Sequence, residues 1–200
     1  YLGGTVKLSA DGLPASIVTN YDQANQLDRS ISNEVLAKPV AFVVETSKGT
    51  EKLKPSKIEF LKQTPATLEW KVLLKGSDVE AECLAKMLFD GTINYQLKVT
   101  ALRDVQVKDI RTVFDYTHYV MGLGVKGGAR PDSTIDWKWD TIKQQDRIWL
   151  GNVNAGMQVV FKDSNYKRPL VNIYYEFGRI RYPHSWGNDN KGGINITEQA

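Results

Sequence analysis

Residues 67–99, TLEWKVLLKGSDVEAECLAKMLFDGTINYQLKV, decide the fold of this chain. Apolar and polar side chains alternate along three successive runs of this stretch, which is the period of a β-strand with one buried face. Gly76-Ser77-Asp78 and Asp90-Gly91 separate the runs and have turn chemistry. Because an Asp-Gly pair readily takes the positive φ angles of a tight hairpin turn, we predict an antiparallel meander whose central hairpin turns at Asp90-Gly91.

The apolar face of this meander predicts the core. Its members are Leu68, Trp70, Val72, Leu74, Val79, Ala81, Cys83, Ala85, Met87, Phe89, Ile93, Tyr95, Leu97 and Val99. Cys83 lies between two inward alanines, so a buried and inert thiol is expected there. It is the only cysteine, which excludes an intrachain disulfide and a cysteine-rich metal site.

The alternation continues on both sides of the meander. A fourth strand runs from Val105 to Phe114, and a change of phase at Lys108-Asp109 indicates a β-bulge. Before the meander, shorter strand patterns that suit edge strands and loops occur at 5–8, 15–19, 40–44 and 57–61. After the fourth strand, further strands are predicted at 147–150, 155–161 and 170–177. The polar stretch 22–36 fits either a short helix or an extended loop. Since helical periodicity is otherwise almost absent, we predict an all-β fold, an antiparallel β-sandwich.

The bulk properties favour one domain of an ordinary kind. Two hundred residues can bury a sizeable core without dividing, so residues 1–200 are predicted to form a single β-sandwich domain. The net charge of +3 is spread along the chain, which does not favour nucleic acid as a partner, and no apolar run is long enough to span a membrane. The absence of a starting methionine suggests a domain excised from a longer multidomain protein, although a processed secreted chain would also lack it.

After Phe114 the sequence becomes rich in glycine and aromatic residues, as in long loops that carry binding sites on a β scaffold. In an extended segment, Trp137 and Trp139 would lie on one side and Asp136 and Asp140 on the other. Indole faces suit the C–H surfaces of sugars, and carboxylates suit sugar hydroxyls. The alternative is that both tryptophans cap the core and the charged residues face water.

A second cluster contains Trp186, Asn188 and Asp189 and is a further candidate for carbohydrate contact. Asn and Asp also fix loop backbones through local hydrogen bonds, so a structured loop without a ligand explains the cluster as well. The spacing of these oxygen-bearing side chains matches no calcium-loop pattern, and we predict no metal site.

No catalytic residue is predicted. Asp136, Asp140, Glu176 and Asp189 could supply a glycosidase pair, but nothing in the sequence indicates that two of them converge. The two histidines lack zinc-ligand spacing. The glycine runs at 122–124 and 127–128 complete no nucleotide-binding motif, so no cofactor is predicted.

Several phrases in combination resemble a known family. They are Asp11-Gly12-Leu13-Pro14, Asp90-Gly91 before Ile93-Asn94-Tyr95, Met121-Gly122-Leu123-Gly124 with Gly127-Gly128 and Arg130-Pro131, the segment 136–140, the segment 148–156 (IWLGNVNAG) and the segment 186–193 (WGNDNKGG). Together they resemble the N-terminal β-sandwich region of bacterial, Bacteroides-type glycoside-hydrolase-like proteins related to glycoside hydrolase family 123. A galactose-mutarotase-like sandwich or a supersandwich is the type of fold that we associate with this resemblance.

The resemblance implies a non-catalytic accessory domain that supports a catalytic (β/α)8 barrel of the same chain and contacts glycan, in a secreted, periplasmic or cell-surface protein. One alternative is a stand-alone carbohydrate-binding module, and another is a catalytic β-sandwich such as a lyase or a mutarotase-like enzyme. An apolar surface patch would favour a purely structural or protein-interaction domain.

Overall fold

The computed structural model describes residues 1–117, 121–123 and 147–161, and in these residues the chain forms β-strands and no helix. The strands are β1 (Gly4–Leu8), β2 (Pro14–Thr19), β3 (Asn33–Glu34), β4 (Ala41–Thr46), β5 (Gly49–Thr50), β6 (Lys54–Pro55), β7 (Glu59–Gln63), β8 (Thr67–Lys75), β9 (Val79–Leu88), β10 (Ile93–Ala101), β11 (Val107–Val113), β12 (Met121–Leu123), β13 (Arg147–Gly151) and β14 (Gly156–Val160). The strand predicted at 170–177 lies outside the described residues.

The predicted meander forms the largest sheet. Strands β8, β9 and β10 are antiparallel neighbours in the order β10-β9-β8-β6, and β7 also pairs with β8. On one face of this sheet, Trp70, Ala85 and Tyr95 stand in line, since Trp70 and Tyr95 both pair with Ala85, and Cys83 lies on the same face two residues along β9. Trp70 and Cys83 are fully buried, as predicted.

The central hairpin is confirmed, but its turn differs from the predicted one. Leu88 N–H donates to the Thr92 carbonyl at 2.9 Å and Gly91 N–H to the Leu88 carbonyl at 3.1 Å, which leaves a loop of three residues. Only Gly91, with a φ of 90°, has a positive φ angle, because such a loop needs the left-handed conformation only at its last position. Phe89 therefore lies in the loop with 59% of its surface exposed, and its predicted place in the core is wrong.

The β1–β2 hairpin uses the same loop. Ser9 N–H donates to the Leu13 carbonyl at 2.8 Å, Gly12 N–H donates to the Ser9 carbonyl at 3.1 Å, and Gly12 has a φ of 81°. The Asp11 carboxylate accepts from Leu13 N–H at 3.2 Å, just as the Asp90 carboxylate accepts from Thr92 N–H at 2.9 Å. An Asp-Gly pair thus closes both hairpins in the same way.

Three further sheets have the orders β1-β2-β3, β11-β4-β5 and β12-β13-β14. Strands β1 and β7 lie at sheet edges as expected, whereas β2 and β4 are the middle strands of their sheets. The predicted bulge is confirmed, because Val107 pairs with Thr46 while Asp109 pairs with the adjacent Glu45 and Lys108 is the extra residue. Residues 22–36 are a loop apart from β3, which decides the question that the sequence left open.

The smaller sheets pack on the buried face of the large sheet and close the core. Side chains from all three contribute, namely Leu8, Ile17, Phe42 and Met157, together with Leu13, Leu36, Val40 and Phe114 from the connecting segments. They enclose Trp70 and its neighbours between antiparallel layers. The all-β, sandwich-type fold predicted from alternation is therefore confirmed.

The opposite face of the large sheet is charged. Lys71 forms an ion pair with Glu82 at 2.6 Å, and Lys86 forms one with Glu69 at 3.3 Å. Hydrogen bonding to Lys71 lowers the pKa of Glu82, and the same contact raises the pKa of Lys71. Such a face suits water rather than a second apolar layer.

Candidate functional site

All seven residues predicted to contact carbohydrate lie outside the described residues. They are Asp136, Trp137, Trp139, Asp140, Trp186, Asn188 and Asp189. Glu176 and both histidines lie outside them as well. The seven predicted residues lie in two segments, and the structure describes the strands that adjoin both segments.

Those strands are β12, β13 and β14, which form one antiparallel sheet. Segment 124–146, with the first cluster, runs from the end of β12 to the start of β13, where Leu123 pairs with Trp149. Segment 162–200, with the second cluster, follows β14, whose Val160 pairs with Arg147. Both segments therefore join the sheet at the same end, the one formed by Leu123, Arg147 and Val160. We call it the loop-bearing end.

The opposite end of this sheet is fixed to the rest of the domain by the tight turn between β13 and β14. Asn152 N–H donates to the Ala155 carbonyl at 2.6 Å and closes this turn. The Asn154 amide donates to the Tyr21 carbonyl at 3.0 Å, and the Thr19 hydroxyl donates to the Asn154 carbonyl at 3.1 Å. These two bonds join the sheet to the β2 region, which holds the loop-bearing end in a defined place.

The body of the sheet is packed against the core. Ile148 and Leu150 are buried, and Met157 packs against the core cluster. The Trp149 ring lies over two glycines, since a Cβ atom added at Gly151 would be 2.8 Å from its Cζ2 and one added at Gly156 would be 2.6 Å away. A larger residue at position 156 would displace the indole, and at position 151 its Cβ would also lie 2.5 Å from Gly156 Cα, which explains the glycine on each of the two strands.

The strongest charge cluster among the described residues is structural. Asp78 is 3% exposed and forms ion pairs with Lys48 at 2.8 Å and with Arg103 at 3.1 Å. The hydrogen bond from Lys48 is the main reason that the pKa of Asp78 is lowered. Glu51 accepts from the backbone N–H groups of Ser77 and Asp78, so the cluster joins four connections of the fold, namely β4–β5, β5–β6, β8–β9 and β10–β11.

The three described carboxyl groups whose pKa values are shifted do not have the raised pKa of a catalytic acid. The pKa values of Asp28, Asp78 and Glu82 are lowered, by hydrogen bonds from Ser30, Lys48 and Lys71 respectively, whereas a general acid needs a raised value. Cys83 is buried, as predicted, and burial raises the pKa of its thiol to about 12, which disfavours the reactive thiolate.

In the ranges 1–117, 121–123 and 147–161, no group of three or more His, Cys, Asp or Glu side chains is arranged to hold a metal ion. Nor do these ranges contain a helix long and apolar enough to cross a membrane.

The sequence did not indicate which residues hold the loop-bearing sheet in place. Asn154 and Thr19 are 135 residues apart and make their bonds only once the strands are assembled. The signal that could have pointed to Asn154 is its place in the phrase GNVNAG, in a turn between two strands.

Packed antiparallel sheets, with two long segments joined to the same end of one sheet, define a β-sandwich domain. The model of the family described as "Glycoside hydrolase 123, third domain" matches residues 1–200, and the chain belongs to this family. It is therefore a domain of a larger glycoside hydrolase 123 protein. No curated protein and no solved structure matches the chain.

Proposed function

We propose that residues 1–200 form a non-catalytic accessory domain, which supports the catalytic (β/α)8 barrel of the same chain and contacts its glycan substrate. The glycan contacts come from the cluster at Asp136 to Asp140 and from the cluster at Trp186 to Asp189. The observation that carries this proposal is the attachment of both segments to the loop-bearing end of the β12-β13-β14 sheet.

Three further observations support the proposal. The domain belongs to a family of glycoside hydrolase domains, so a glycan is the ligand that it most readily encounters. The sheet that both segments join is fixed by Asn154 and by its buried face, and a rigid support reduces the entropy lost when an attached segment binds a ligand. The described carboxyl groups with shifted pKa values are held ionised in ion pairs or turns, which fits a supporting role better than a catalytic one.

The test uses the full-length hydrolase and separates binding from chemistry. We expect Trp137→Ala and Trp186→Ala each to raise KM about 5- to 30-fold, equivalent to 1–2 kcal/mol, with little change in kcat. The matched control is Lys98→Ala, an exposed position on the charged face of the large sheet. Circular dichroism of each variant verifies that the fold is retained.

The same assay tests whether the domain is catalytic. An accessory domain takes no part in the chemical step, so we expect kcat to be retained in four carboxyl variants, Asp136→Asn, Asp140→Asn, Glu176→Gln and Asp189→Asn. Loss of a general acid or base would instead lower kcat on the order of 10²–10⁴-fold. A fall of that size in kcat for any of the four would contradict the accessory role and favour a catalytic β-sandwich. An unchanged KM in both tryptophan variants would contradict the proposed glycan contact but not the accessory role of the domain.

A further inference from the structure

One end of the large sheet exposes an apolar surface. Leu2 is 64% exposed and Phe89 is 59% exposed, and Pro65 and Ala66 are exposed beside them. Backbone hydrogen bonds place the three segments side by side, since Leu2 N–H donates to the Phe89 carbonyl at 2.7 Å and Phe89 N–H donates to the Ala66 carbonyl at 3.1 Å. We call these four residues the hairpin-end patch.

The patch is also poor in charge. Asp, Glu, Lys and Arg make up 24% of the chain. In the three segments around the patch, residues 1–5, 63–67 and 88–92, Asp90 is the single residue of these four types. The Asp90 carboxylate already accepts a hydrogen bond from Thr92 N–H. Depletion of charge around exposed aromatic and aliphatic side chains is the compositional mark of the core of a protein interface.

The exposed side chains of Phe60, Leu61 and Leu102 lack this setting. Phe60 and Leu61 lie on β7 between Glu59 and Lys62, and Leu102 is followed by Arg103 and Asp104. Single apolar residues among charges are ordinary on a protein surface. The hairpin-end patch is distinguished because its apolar residues are contiguous and come from three segments.

The position of the patch identifies its partner. The family description numbers this unit as the third domain of a glycoside hydrolase 123 protein, which places other domains before it in the chain. The match to the third-domain model begins at residue 1, and Leu2 is hydrogen bonded to Phe89 within the patch, so the boundary with the preceding domain lies at this surface. Chain connection next to a patch gives a high effective concentration and favours docking there.

We propose that the hairpin-end patch is the surface on which the preceding domain of the same chain packs. The inference rests on the proposed function, because it names the surface through which an accessory domain is held in the enzyme. Leu2 and Phe89 are the side chains that the contact buries, and the exposed loop position of Phe89, outside the core, is explained by this role.

The test places a photoreactive residue in the full-length protein. The two test positions are Phe89→benzoylphenylalanine, which keeps an aromatic ring at the surface, and Leu2→benzoylphenylalanine. The control is Leu102→benzoylphenylalanine at the opposite end of the sheet, where Leu102 N–H donates to the Asp78 carbonyl. After irradiation, mass spectrometry identifies the cross-linked peptides. We expect cross-links from positions 89 and 2 to the preceding domain, and none to that domain from position 102.

Cross-links from both test positions only to a second copy, to a following domain or to residues within 1–200 would overturn the proposal, as would the absence of any cross-link. A cross-link that forms at either test position to the preceding domain supports it. The kinetic assay of the tryptophan variants is independent of this measurement. If the patch is not the docking surface, the cross-links to the preceding domain are absent but the rise in KM remains. If the domain is not accessory, the kinetic results change but the cross-links remain.

Discussion

At the scale of single residues, Gly12 connects the first hairpin to the centre of the core. The Trp70 indole N–H donates to the Gly12 carbonyl at 2.9 Å, and the Trp70 ring meets the Tyr95 ring edge to face at a centroid distance of 6.0 Å. This bond satisfies the only polar atom of a fully buried tryptophan. The loop that carries Asp11-Gly12 is consequently part of the core as well as a turn.

Gly12→Ala is predicted to destabilise the domain more than Gly49→Ala does. Both glycines have positive φ angles, 81° and 114°, so each alanine incurs backbone strain of about 1–2 kcal/mol. Only at position 12 would the new Cβ also collide with the core, at 2.9 Å from Val72 Cγ2 and 3.1 Å from Trp70 Nε1, which adds about 1–3 kcal/mol. At position 49 the Cβ would have no neighbour within 4 Å. Urea unfolding measures the two losses, and equal losses would contradict the role assigned to Gly12.

At the scale of the elements, Asp78 joins connections that are distant in sequence. Lys48 lies in the β4–β5 turn, Asp78 precedes β9, and Arg103 follows β10. The Asp78 carboxylate is almost completely buried, whereas Lys48 and Arg103 are more than half exposed, so water screens part of the stabilisation that the two ion pairs provide. The ends of two sheets are thereby held together by one acidic side chain.

The lowered pKa of Asp78 predicts how the stability of the domain depends on pH. The ionised carboxylate stabilises the folded state, so its contribution is fully present above the unfolded pKa of about 3.9 and is lost as the pH falls through the lower folded value. Asp78→Asn is therefore expected to lower the free energy of unfolding at pH 7, and the difference from wild type should shrink below about pH 4. Asp104→Asn, at an exposed position, is the control. A difference for Asp78→Asn as large at pH 3 as at pH 7 would show that its charge does not act in this way.

The elements that the sequence predicted are those encoded by neighbouring residues. Alternation over 67–99 located β8 to β10, and the change of phase at Lys108 located the bulge, because both depend on which face successive side chains take. The order of the sheets and the bond from Trp70 to Gly12 were not predictable, since they depend on contacts between distant segments. The three-residue turn at Asp90-Gly91 was missed because the same pair also fits a two-residue turn.

At the scale of the whole molecule, each surface has its own chemical character. The outer face of the large sheet is covered by ion pairs such as Lys71 with Glu82 and suits water. The hairpin-end patch is apolar and suits another domain. The loop-bearing end of the β12-β13-β14 sheet receives both segments that carry the candidate glycan contacts. The candidate residues themselves were identified from sequence alone, and the structure adds the common origin of their two segments.

This common origin predicts that the two tryptophan clusters act together. If segments 124–146 and 162–200 contact one glycan from the loop-bearing end, the effects of Trp137→Ala and Trp186→Ala on kcat/KM should not add, because loss of either contact frees the sugar from the other. We expect a coupling free energy of about 0.5–3 kcal/mol in a double-mutant cycle on the full-length enzyme, the range found for residues that share a partner. Trp137→Ala combined with Lys98→Ala should be additive, as distant and independent sites are. Additivity of the two tryptophan substitutions, each harmful alone, would assign the clusters to separate binding sites.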